Sequence, residues 1–311
     1  MPSWKLSWVC AWLAVSAAAS EYLELTMASK LVPSPVEFSV LLPDGYAETK
    51  EPFPLLLVLH GGGGSRDYLR QVRPWIEECW RNGSLPKVVA VTATSKARSF
   101  YMDFKDGSQK WETFFTTELL EQMRANYKVR RDRGGTLLFG ISMGGQGGLR
   151  LAFKHPDKFG GVAAMEPGID PVLRYQDLLP RHRFWRSEEL MEAAYGKPVD
   201  AAYWEANNPA TIAARDPARL RQAGLAIYIE CGDQDAFGLD EATEFLHRIL
   251  RDNKILHEYH LVRGADHVGR TIRPRSIEAL GFLGRLLNPA PPDPAAEDLH
   301  RRLAPLKKNL R

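Results

Sequence analysis

Residues 136–145 read TLLFGISMGG: a short apolar run, then the motif Gly140-Ile141-Ser142-Met143-Gly144, then a helical pattern that continues to about Lys154. A strand entering such a turn and a helix leaving it would hold Ser142 at a sharp corner with its hydroxyl clear of the sheet. Glycines on either side let neighbouring backbone approach without a Cβ clash. The helix beginning just beyond Ser142 directs free N–H groups and the positive end of its dipole at the same spot, which favours negative charge there. A bare G-x-S-x-G is also compatible with an ordinary tight turn, so the reading depends on what else surrounds it.

A second loop points the same way. The strand-like run Leu55 to Leu59 leads into His60-Gly61-Gly62-Gly63-Gly64, whose glycines would let a main-chain N–H face a substrate oxygen. A phosphate loop is excluded on detail, because neither G-K-[ST] nor G-x-G-x-x-G with a following acidic residue is present.

A serine hydroxyl needs a base and an orienting carboxylate. Two late loops offer them: Cys231-Gly232-Asp233-Gln234-Asp235 after the run Leu225 to Glu230, and Arg263-Gly264-Ala265-Asp266-His267 after His257 to Val262. Of eight histidines, His60 belongs to the glycine loop and His155 ends the helix after the serine. His182 falls in a long excursion, His247 within a helix, His257 and His260 on a strand, and His300 in the C-terminal tail. His267 alone follows the last strand, where open α/β sheets place their ligands. Asp235 stands far enough beyond its turn to reach the imidazole, whereas Asp233 suits the turn itself. A histidine base sets an expected acid limb in kcat/KM near the ordinary histidine value of about 6.5.

Working outward, Leu55 to Leu59, Val88 to Thr92, Thr136 to Phe139, Val162 to Met165, Leu225 to Glu230 and His257 to Val262 are apolar runs suited to strands buried on both faces. Leu25 to Leu31 and Val36 to Leu42, separated by Pro33 and Pro35, read as an antiparallel edge pair. Glu112 to Tyr127 and Asp240 to Asp252 carry helical periodicity. Strand and helix alternate, so the expected fold is α/β, with a mostly parallel sheet of about eight strands and helices on both faces. Gly168 to Arg215 interrupts the alternation and reads equally as a cap over the site or as a packed excursion.

The 311 residues, 44% hydrophobic and 25% charged, suit one large catalytic domain, expected over 21–287. A net charge of +3 is too small to argue for nucleic acid. Cys10, Cys79 and Cys231 have neither metal-ligand nor disulfide spacing. Residues 1–20 place Lys5 before the apolar Leu6 to Val15 and the small Ser16 to Ser20, in the order of a secretory signal. The expected location is therefore secreted or periplasmic. A short N-terminal helix, or a true start at Met27 in a cytoplasmic protein, is the competing reading. No other run is long enough to span a membrane. Residues 288–311 read as an extended Pro/Ala linker, Pro289 to Ala296, followed by a solvated basic tail.

With these loops in place, the chain resembles the "putative esterase" family of the α/β-hydrolases, which includes esterase D (S-formylglutathione hydrolase), feruloyl and other carbohydrate esterases, and the mycolyltransferases. The likeness runs from about Val36 to Leu287. It is carried by residues 59–64 and 140–145, by Ser99-Phe100-Tyr101-Met102-Asp103 with Trp111-Glu112-Thr113-Phe114, and by His155-Pro156-Asp157-Lys158-Phe159. The resemblance implies a Ser142, Asp235, His267 triad and an oxyanion hole made by the N–H groups of Met143 and Gly62. It implies a small-molecule ester or thioester as substrate, and no metal or organic cofactor. Where relatives often carry an aromatic residue after the histidine, this chain has Val268-Gly269-Arg270, and its basic tail has no counterpart in them.

The expected function is ester hydrolysis through an acyl-enzyme on Ser142. An acyltransferase would use the same residues, and a non-catalytic binding protein on this scaffold would be marked by a missing triad member.

Overall fold

The computed structural model describes residues 19–95 and 99–308, so most of the segment 1–20 read as a secretory signal lies outside the described residues. Eight strands form one sheet: β1 (Glu21–Met27), β2 (Val36–Leu42), β3 (Leu55–Leu59), β4 (Val89–Ala93), β5 (Thr136–Ile141), β6 (Gly161–Met165), β7 (Ala226–Gly232) and β8 (Glu258–Val262). They lie in the order β1-β2-β4-β3-β5-β6-β7-β8. The β1–β2 and β2–β4 pairs are antiparallel and the rest are parallel.

The helices are α1 (Tyr68–Asn82), α2 (Trp111–Thr116), α3 (Glu118–Asn126), α4 (Met143–Lys154), α5 (Glu188–Tyr195), α6 (Ala201–Asn207), α7 (Pro209–Arg215), α8 (Pro217–Ala223), α9 (Leu239–Asp252), α10 (Ile272–Leu287) and α11 (Pro294–Lys308). Strand β3 shows why the central runs are apolar without interruption. Leu55, Leu57 and Leu59 enter one core, while Leu56 and Val58 enter the core on the opposite face. The second core is closed by α1, through Leu69, Val72 and Ile76, and by α10, through Ala279, Leu280 and Leu283.

Three local expectations differ from the structure. The first strand lies four residues earlier than Leu25 to Leu31, pairing Met27 with Val36. Beyond Met27 the chain leaves the sheet because the N–H groups of Leu31 and Val32 donate to Ser29 Oγ in a local turn. The helix expected over Glu112 to Tyr127 is divided at Thr117, whose backbone (φ −127°, ψ −81°) is not helical. There the hydroxyls of Thr116 and Thr117 bond back to the carbonyls of Glu112 and Thr113 at 2.9 and 2.6 Å. The Pro/Ala run is not extended throughout, for α11 begins inside it at Pro294. Asp293 Oδ1 accepts from the N–H of Ala295 at 2.9 Å, capping the helix, and proline is tolerated at a first helical position.

Tyr195, Trp204 and Ala213 are buried in the main core, so α5 to α7 are packed, while Arg183 to Ser187 line a cleft above Ser142. Arg150 ties the excursion to α4, its Nε donating to Asn207 O at 2.7 Å.

Candidate active site

Ser142 falls between the end of β5 and the start of α4. Its backbone, at φ 57° and ψ −118°, lies where non-glycine residues are rare, a strain of about 1–3 kcal/mol that the surroundings must hold. They hold it from both sides. The Ser142 N–H donates to Met165 O at 2.9 Å, and its carbonyl accepts from Gly168 N–H at 3.0 Å. The flanking glycines are required by contact: a Cβ on Gly140 would lie 2.3 Å from Gly144 O, and one on Gly144 would lie 2.1 Å from Leu59 O. Met143 takes the first helical position of α4, where an N–H has no acceptor within its own helix.

The glycine loop stands beside it. A Cβ on Gly61 would come within 3.5 Å of Ser142 Cβ, and Gly61 and Gly62 line the same cleft as Ser142. His60 fixes this loop and takes no part in the cleft. It is fully buried, Nδ1–H donates to Gly61 O at 2.8 Å, and Nε2 accepts from Ser95 N–H at 3.1 Å. Burial holds its pKa below the ordinary histidine value, which keeps the ring neutral and both bonds intact.

The loops after β7 and β8 interlock. Asp233 Oδ1 accepts from Gly264 N–H at 2.7 Å, and Asp266 Oδ1 accepts from Ala236 N–H at 3.0 Å. Asp233 thus serves the loops, while His267 Nδ1–H donates to Asp235 Oδ2 at 2.7 Å. The other oxygen of Asp235 accepts from the N–H groups of Phe237 and Leu239 at 2.8 and 3.3 Å. Burial alone would raise the Asp235 carboxyl, but these bonds, led by the one from His267, hold it below the usual carboxylate range.

A second carboxylate, absent from the sequence expectations, lies at the same nitrogen. Glu166 follows β6 and is fully buried, and its Oε2 is 3.0 Å from His267 Nδ1. Burial would lower the His267 pKa, yet Asp235 and Glu166 together push it up to about 9. Behind Glu166 sits Arg275 of α10, which bonds Glu166 Oε1 and places Nε 2.7 Å from Glu230 Oε2. The position of Glu166, a carboxylate at the carboxyl end of a central strand, is the signal that could have found it. Nothing in the sequence singles out Arg275, whose burial depends on how α10 packs.

Ser142, His267, Gly62 and Met143 line one cleft of about 810 Å³, within the range of small-molecule sites. Ser142 Oγ makes no hydrogen bond to the described residues. Phe237 meets the His267 ring edge-on at 4.6 Å between centroids and stacks on Phe184, and Trp185 packs against it. Among the described residues, the metal-capable groups that lie together are Glu166, Cys231 and Asp235. Burial pushes the Cys231 thiol far up, and its Sγ lies 3.8 Å from Asp235 Oδ2.

The family model described as "Putative esterase" matches residues 29–272, most of the chain. The chain belongs to this family. An esterase of Mycobacterium tuberculosis is 28% identical over 179 residues, which are 55% of this chain and 38% of that protein. A diacylglycerol acyltransferase/mycolyltransferase, Ag85A of Mycobacterium bovis, is 27% identical over 63% of this chain and 60% of its own length. The chain therefore spans less than two thirds of these curated relatives. Among solved structures, a ferulic acid esterase superposes with a TM-score of 0.70 at 24% identity, covering 86% of this chain and 99% of its own. An S-formylglutathione hydrolase from Agrobacterium tumefaciens gives 0.71 at 19% identity, covering 87% and 96%. The esterase-family chain thus has the α/β-hydrolase fold.

Proposed function

We propose that this chain is a serine carboxylesterase in which Ser142 attacks the ester carbonyl, His267 takes its proton, and Asp235 orients the imidazole. The observation that carries this reading is the 2.7 Å bond from His267 Nδ1 to Asp235, which leaves Nε2 as the nitrogen available to the cleft that Ser142 lines. The N–H groups of Met143 and Gly62 receive the oxyanion, each such donor being worth about 2.7–4 kcal/mol in the transition state. Water then attacks the acyl-enzyme, with the same imidazole as base. A p-nitrophenyl ester panel of graded acyl length, with methyl hydroxycinnamates and S-formylglutathione, tests the activity and sorts the substrate. A chain inert toward all of them would overturn the reading.

The base must be neutral to work, so a raised pKa moves activity toward alkali. kcat/KM is expected to be low at pH 6 and to rise through an acid limb near 9, not near the ordinary histidine value of about 6.5. A pH profile of kcat/KM checks this directly.

Asp235→Asn should lower kcat by orders of magnitude with little change in ester binding, because the ring loses its main orienting acceptor. Asp233→Asn should do far less, since that side chain bonds only loop groups. Side-by-side kinetics on folded proteins decide between the two carboxylates.

Acyl transfer is the second reading, favoured by the likeness to the mycolyltransferase. Product analysis with a competing alcohol separates transfer from hydrolysis.

Export is proposed from residues 1–20, with the mature chain beginning between Ala18 and Tyr22. Such a chain keeps β1 nearly or wholly intact, whereas a start at Met27 would remove it. N-terminal sequencing of protein from the native host tests this, and an intact Met1 or a start at Met27 would reject it. No described helix is long and apolar enough to cross a membrane.

A further inference from the structure

We propose that Glu166 is a second positioning carboxylate for His267, acting on the same ring nitrogen as Asp235 and setting the pH at which the base works. The inference rests on the serine-esterase reading above and adds a residue to it.

The geometry is specific. Glu166 Oε1 is taken by Arg275, while Oε2 is buried, has no hydrogen bond of its own and lies 3.0 Å from His267 Nδ1. A carboxylate oxygen left without a hydrogen bond in the interior is costly unless it faces a positive charge. Here that charge appears when the imidazole is protonated. The backbone of Glu166 is also held at φ 42°, a conformation that a glutamate does not adopt freely.

The groups facing the imidazole or its two carboxylates come from several elements. Asp235 and Cys231 belong to the β7 end, Glu230 to β7, Arg275 to α10, Asp240 to α9, Tyr68 to α1 and Asp266 to the histidine's own loop. Arg183 lines the cleft beyond. Arg275 is shared by Glu166 and Glu230, so it does not neutralise both. With Asp235 added, three carboxylates face Arg275 alone, and a proton on His267 supplies the second positive charge among them.

In the acylation step the Ser142 O–H bond breaks and its proton goes to His267 Nε2. The Oγ electron pair forms the bond to the carbonyl carbon, and the carbonyl π pair moves to oxygen. The positive charge then carried by the ring faces Asp235 and Glu166 together. Glu166 therefore stabilises the imidazolium and keeps the proton on Nδ1, the tautomer that leaves Nε2 free, even when Asp235 is altered. The cost is a base that is protonated at neutral pH.

The test is a cycle of Glu166→Gln, Asp235→Asn and the double variant, read as pH profiles of kcat/KM and as kcat on the alkaline plateau. Glu166→Gln should move the acid limb down by about one pH unit and lower the plateau. Asp235→Asn alone should lose about 10²-fold in plateau kcat, and the double variant about 10⁴-fold, the loss expected when a single orienting acid is removed. A residue that only anchored Arg275 would leave the acid limb in place. An unmoved limb, or a double variant no worse than Asp235→Asn, overturns the proposal. Should Glu166→Gln fail to fold, ¹⁵N-histidine NMR of the Asp235→Asn variant decides: His267 titrating near 6.5 there overturns the proposal, and a titration still well above that supports it. Fluorophosphonate labelling of Ser142 is run alongside. Labelling with an unmoved limb sinks only the role of Glu166, while absence of labelling sinks the esterase reading itself.

Discussion

Ser142→Ala should reduce kcat for a p-nitrophenyl ester by about 10⁶-fold, to the residual rate that binding and the oxyanion donors alone supply. The variant should fold as the parent does. Alanine meets the same backbone strain as serine at φ 57°, and the hydroxyl it lacks bonds to none of the described residues. Thermal melting should therefore be close to unchanged while turnover disappears, and a fluorophosphonate should label the parent at Ser142 but not the variant. Parent-like hydrolysis by the purified variant, or an adduct mapped to another residue, would remove the nucleophile from the mechanism.

His267→Ala should cost a comparable factor, again about 10⁵–10⁶-fold in kcat, because an unactivated hydroxyl is a poor nucleophile at neutral pH. The two losses should not add: residues that act as one unit make the double variant Ser142→Ala/His267→Ala no slower than either single one. Removing the imidazole also leaves Asp235 and Glu166 close together, with Arg275 bonded to Glu166 but not to Asp235. The histidine variant is thus expected to be the less stable of the two. Parallel kinetics and melting curves at several pH values check both statements. Additive losses would mean that serine and histidine act in separate steps.

Much of this site was legible in the residues themselves. The Gly140 to Gly144 corner, the glycines after Leu59 and the late Asp235 and His267 stand out because strand ends, turns and chain order constrain which residue types fit. Burial on both faces made the central strands readable, and β3 has the expected bounds. Edges were harder. The turn at Ser29 and the break at Thr117 depend on single hydroxyl-to-backbone bonds that periodicity does not register. Glu166 was missed for a different reason: in sequence it is one carboxylate before Pro167, and only the pairing of β6 with β7 brings it to the imidazole. Arg275 is invisible along the chain because its partners lie 45 and 109 residues away.

The excursion between β6 and β7 carries one more consequence. The proposed reacting groups are fixed by strand ends and interlocked loops, whereas a large part of the cleft wall, Arg183 to Leu190, comes from one uninterrupted stretch. That stretch is braced against the start of the excursion, with Arg186 bonded to Asp170 and to Gly168 O. The wall and the candidate catalytic groups therefore come from different portions of the chain that meet at two points, Gly168, which bonds both Arg186 and the Ser142 carbonyl, and Phe237, which packs between Trp185 and His267. A lineage built on this plan would retune its substrate range chiefly by rewriting that wall, with Gly168, Arg186 and Trp185 the positions least free to vary.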